Sequence, residues 1–217
     1  MTSRDDRRST SVRFASVVLI LTCATNATAQ DRMPPILEEQ MTGAQREAVE
    51  EFNRARNTTA GPFGPFVPLL RSPEMLSRAR SVGDHVRFNT VLPPRLSEFV
   101  ILITARHWTQ QYEWATHAGI AEQAGLSPAI IAAVADGRRP EPMADDEATV
   151  YDFCMELLRT QGVSDPTYAR AVSLLEETGI IDTIGIVGYY SLLAMVMNTA
   201  RTPLAEGVSP PLPTFPR

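Results

Sequence analysis

Residues 96–118 read LSEFVILITARHWTQQYEWATHA, an apolar helical run interrupted by Glu98, His107, Glu113 and His117. Titratable side chains set in such a run cost free energy unless they are paired or used. Glu113 and His117 are four residues apart, so on a helix they share a face and can touch. A carboxylate beside an imidazole fixes the ring's tautomer and raises its basicity. A ring with an ordinary pKa of about 6.5 then exchanges protons near neutral pH. The same spacing also suits a plain structural hydrogen bond. His107 reads as a core or interface residue, because Arg106, His107 and Trp108 face different sides of their helix. His85 reads as solvated. Cys154, at helical spacing with Tyr151 and Leu158, reads as a buried small apolar residue.

These groups must be positioned by helices, since no segment shows sustained period-two alternation. Thr42 and Gln45 form a capping box that opens a helix with Ala48, Val49 and Phe52 on one face. Residues 60–70, AGPFGPFVPLL, are too rich in proline for regular helix, and read as an ordered loop anchored by Phe63 and Phe66. A helix is expected from Ser72-Pro73 to about residue 88, with Leu76, Ala79, Val82 and Val86 inward. Pro93-Pro94 opens the next, with Leu96, Phe99, Val100 and Ile103 inward. Another runs from about residue 110 to 124 and stops at Gly125. Ser127-Pro128 starts a short one ending at Asp136-Gly137. A helix through Tyr151, Cys154, Leu157 and Leu158 follows, then one from Asp165-Pro166 to Gly179. Residues 180–199 are apolar all round, which predicts a central or interface helix rather than a membrane span. The fold class is therefore all-α, a bundle of roughly eight helices.

The chain has 217 residues, enough for one good core, and a net charge of −5. That charge argues against nucleic acid or anionic membrane as a partner. There is no P-loop, GxGxxG, HExxH, GxSxG or zinc-spaced Cys/His set. Residues 1–29 have the basic start, short apolar run and Ala27-Thr28-Ala29 site of a signal peptide, which predicts a periplasmic or secreted protein. Cleavage removes Cys23 and leaves Cys154 alone, without a CxxC pair. Residues 30–60 then form an N-terminal extension with one helix, residues 61–207 the helical domain, and residues 208–217 a Pro-rich tail.

The stretches PFVPLLRSPEM, LPPRLSEFVILITARHW and QYEWATHAGIAEQAGLS resemble the carboxymuconolactone decarboxylase family, as does GYYSLLAMVMNTARTPL near the end. The resemblance covers residues 61–203 and implies an alkylhydroperoxidase D-like helical fold, assembled as a trimer or hexamer. The peroxidase branch of that family carries a Glu, a Cys-x-x-Cys and a His. Glu98 and His117 fall on its Glu and His, while Gln110 and Glu113 fall on its two cysteines. Disulfide-based peroxide reduction needs both thiols, so the resemblance implies instead a cofactor-independent acid/base lyase or isomerase acting on a small carboxylated or lactone substrate. Glu98, Glu113 and His117 are the expected catalytic residues. Arg106, or Arg95, would hold the substrate carboxylate, and Tyr112 and Trp114 would line the pocket. The alternatives are a redox protein working through Cys154 and a non-catalytic helical oligomer that binds a ligand.

Overall fold

The computed structural model describes residues 31–213, so the signal-peptide expectation for residues 1–29 lies outside it. After a 3₁₀ turn at Glu38–Gln40 come eight α-helices: α1 Gly43–Arg56, α2 Phe66–Leu69, α3 Pro73–Phe88, α4 Pro94–His107, α5 Gln111–Gln123, α6 Pro128–Ala135, α7 Asp145–Thr160 and α8 Asp165–Ala200. No strand occurs among the described residues. The all-α bundle is as expected.

The core is built around α4. Every residue from Leu96 to Arg106 is buried, because α4 packs against α5, α6, α7 and α8 together. The most deeply buried helix is thus α4, and α8 packs against it. On α8, Ile180, Ile186, Tyr190, Leu193 and Met197 face inward, while Ile181, Ile184 and Met195 are exposed. By length and composition α8 could cross a membrane, yet 56% of its most apolar window is buried in the fold, so it serves as a core helix with one bare face. It holds two helical segments, as expected, divided by one non-helical residue. The chain does break, but at Glu176 (φ 58°, ψ 173°) rather than at Gly179.

Local signals place most helix ends. Thr42 and Gln45 make the reciprocal capping box of α1. Gly125 and Gly137 take positive φ values, 96° and 73°, after α5 and α6. The Pro-rich loop departs from expectation by holding a helical turn, α2. Its Pro68 lies within the first turn, where no backbone N–H is needed. Phe63 and Phe66 pack on Phe52 of α1, at ring separations of 5.6 and 5.1 Å, as the anchoring role requires. On α3, Val82 is exposed instead of inward, and the buried position is Gly83 beside it. The tail folds back over the bundle. Leu212 is buried, its N–H donates to Gln111 Oε1, and its carbonyl accepts from Gln111 Nε2.

Candidate active site

Glu98 sits one turn into α4, and the chain reverses just after that helix. Thr109 adopts a left-handed φ of 48°, and Gln110 then caps α5. Its Oε1 accepts from the N–H groups of Tyr112 (2.6 Å) and Glu113 (3.1 Å). Its Nε2 donates to Asn198 Oδ1 on α8 at 3.1 Å. Gln110 satisfies donors that a helix start otherwise leaves orphaned. It therefore fixes the register that puts Glu113 in the first turn and His117 one turn later.

The three expected catalytic residues converge. His117 Nδ1 lies 2.6 Å from Glu98 Oε2, and its Nε2 lies 3.4 Å from Glu113 Oε2. All three are buried, with exposures of 7% for Glu98, 3% for Glu113 and 2% for His117. Tyr190 packs edge-on against the imidazole at 5.2 Å. Burial alone would lower the His117 pKa. The hydrogen bonds to Glu113 and Glu98, with both negative charges, outweigh it, and the pKa is raised. The two carboxylates thus favour the imidazolium more than in a free histidine. Glu113 Oε1 has no hydrogen-bond partner although it is buried, a cost that calls for an explanation.

Glu113 and His117 line a cleft of about 60 Å³. The volume admits a few waters or the reacting end of a small molecule. Arg56 and Arg87 supply positive charge to its wall, and Tyr112, Tyr189 and Tyr190 supply hydroxyls. Arg56 is paired with Asp84 at 3.0 Å. Arg87 forms no ion pair among the described residues, and its guanidinium lies over the Phe88 ring. Burial raises the pKa of Tyr112 and Tyr189, with the Glu113 charge adding to the effect in both, so both phenols are neutral hydrogen-bond donors at neutral pH.

Several expected positions differ. Glu98 stands behind His117 and does not line the cleft, so it positions the imidazole rather than meeting substrate. Tyr112 lines the cleft as expected, but Trp114 is buried away from it. Arg106 is on another face of α4, where its Nη1 donates to the carbonyl of Pro213. Arg95 is engaged with Glu147 and, at 2.5 Å, with Asp146. His107 is exposed, with its ring edge-on to Trp108, so it is no core residue. His85 is exposed as expected and reaches Asp182 at 3.4 Å. Among the described residues no cluster of three or more His, Cys, Asp or Glu has metal-binding geometry.

No protein-family model matches this chain, and no curated protein matches it.

Arg56, Arg87, Tyr189 and Tyr190 were not legible as site residues, though Gly83 carries a trace of them. A Cβ at Gly83 would come within 2.2 Å of the Tyr189 hydroxyl, so glycine there makes room for a phenol on the cleft wall. Gly83→Ala would ordinarily stabilise a helix by about 1 kcal/mol. Here it should destabilise by roughly 1–3 kcal/mol, because Tyr189 is buried and cannot swing away. Thermal unfolding checks the sign.

Proposed function

We propose that the protein is a carboxymuconolactone decarboxylase-like acid/base enzyme, a lyase or isomerase that needs no cofactor and acts on a small carboxylated or lactone substrate. The observation that carries the reading is the buried Glu98–His117–Glu113 chain ending at an unpartnered carboxylate oxygen on a cleft wall. The likeness of residues 61–203 to that family supports it.

The chemistry follows from the geometry. Arg87 attracts the substrate's carboxylate or developing enolate into the cleft. In a decarboxylation the C–C bond to the carboxylate breaks, carbon dioxide leaves, and the electron pair moves into an enolate. The Tyr112 and Tyr189 hydroxyls stabilise that oxygen. A proton then passes from the His117 imidazolium, directly or through Glu113, to the carbanionic carbon. Glu98 holds the ring throughout. In an isomerisation Glu113 takes a proton from one carbon and returns it to another, with His117 compensating its charge.

Two features weigh against the redox alternative. Cys154 is fully buried, and burial raises its thiol pKa strongly, which suppresses the thiolate that redox chemistry needs. The positions matching the peroxidase thiols hold a helix cap, Gln110, and an acid, Glu113. The bare face of α8, with Ile181, Ile184 and Met195, offers a surface for assembly of identical subunits. The composition of residues 1–29 supports export.

The test is carbon dioxide release from a panel of β-keto and vinylogous carboxylic acids. Arg87→Gln should raise KM by about tenfold to a hundredfold with a smaller change in kcat. An unchanged KM would remove Arg87 from substrate binding.

A further inference from the structure

A second cavity, of about 220 Å³, opens on the other side of α4, between α4, α6 and α7. It is several times larger than the Glu113–His117 cleft. Its apolar part is made by Ile103, Val134 and Met155. Its polar part is made by Arg106, His107, Tyr151 and Arg159, with no acidic side chain on the wall. This concentration of cations is against the trend of a chain with a net charge of −5.

The state of these groups matters. Arg159, in the last turn of α7, is exposed and forms no ion pair among the described residues. Tyr151 is stacked on Phe99 at 6.1 Å, which fixes its ring, and its hydroxyl makes no hydrogen bond among the described residues. Arg106 is buried and gives one N–H to the Pro213 carbonyl. Partial covering of the His107 ring by the cavity wall lowers its pKa, and the positive charge of Arg159 lowers it further. Arg159 and a phenol, with Arg106, whose charge Asp136 partly offsets, thus face one apolar hollow. Arg138 also lines it but is held by Asp136 at 2.9 Å.

We propose that this cavity binds a small organic carboxylate with an apolar body, such as an aromatic acid. The carboxylate would take a paired hydrogen bond from Arg159 and one from Tyr151, near the positive charge of Arg106. The body would sit on Ile103, Val134 and Met155, where the thioether adapts to ring shapes. An inorganic anion would satisfy the rim and leave the hollow empty. A neutral aromatic would fill the hollow and leave the rim unanswered. The site is separate from the Glu113–His117 cleft and does not depend on the catalytic reading.

The experiment is calorimetric titration of the full chain with benzoate, benzyl alcohol and inorganic phosphate. Benzoate should bind at least about tenfold more tightly than either control, and Arg159→Gln should weaken it by about tenfold. Glu113→Gln, in the other cleft, should leave benzoate affinity unchanged. The proposal is overturned if benzoate does not bind. It is also overturned if phosphate or benzyl alcohol binds equally well, or if Arg159→Gln binds benzoate like wild type. Affinity lost in Glu113→Gln but kept in Arg159→Gln would place the benzoate in the catalytic cleft, which also overturns it.

Discussion

Glu98→Gln should destabilise the fold by about 3 kcal/mol, roughly 6–12 °C in Tm for a domain of this size. The carboxylate lies 2.6 Å from a buried imidazole, and an amide cannot balance the imidazolium charge. The pH dependence should change with it. The His117 pKa is raised in the folded protein, above an unfolded value of about 6.5. Its contribution to stability is therefore fully present below about pH 6.5 and is lost as pH rises through the folded pKa. Wild type should lose this increment as pH rises from about 6.5 through the raised folded pKa, and Glu98→Gln should show a flatter profile. His107 acts in the opposite sense, since its pKa is lowered and its effect appears as pH falls. The substitution leaves His107 untouched, so subtracting the two profiles isolates His117. Glu51 and Asp182, whose pKa values are lowered, change protonation below about pH 4.5 and stay outside the window. Parallel profiles for wild type and variant would mean that His117 is not held charged by Glu98.

His117→Gln should reduce turnover by about 10²–10⁴-fold, the usual size of a general acid/base contribution. Glutamine keeps a polar side chain near Glu98 and Glu113 but cannot carry a proton between them. The loss should fall on kcat, because the His117 proton is delivered only as the reaction proceeds. Arg87→Gln should act mainly on KM. The two variants therefore separate proton transfer from substrate capture within one cleft.

The helices were readable because their ends are marked by local chemistry. Thr42 with Gln45, Gly125, and Ser127 with Pro128 act within a few residues of themselves, so no tertiary knowledge is needed to place them. The pairing of Glu113 with His117 is equally local, a consequence of helical spacing. Glu98 was placed by family resemblance, and the structure brings it to the same imidazole. The cleft wall was not readable. Arg87 lies in a stretch, HVRFN, that looks like any solvated helix end. It becomes a site residue only because α8 brings Tyr189 and Tyr190 to α3. Arg106 misled for the opposite reason. It is close to His117 in sequence, but two turns along α4 from Glu98 it has rotated by about 80°, toward α6 and α7. Val82 and Gly83 show the same limit. Hydrophobicity favoured valine as the inward residue, whereas the partner's shape, a tyrosine, required the glycine. The apolar letters of residues 180–199 suggested a central or interface helix, but how deeply a helix is buried depends on how many neighbours surround it, and α4 has more of them.

The central claim is that His117, held between Glu98 and Glu113, is the proton carrier of a decarboxylase-like reaction. The most direct measurement is the initial rate of carbon dioxide release from β-keto and vinylogous carboxylic acids, with wild type and His117→Gln side by side. The prediction is release by wild type and a loss of about 10²–10⁴-fold in the variant. Equal rates from the two proteins, with both shown to be folded, would contradict it.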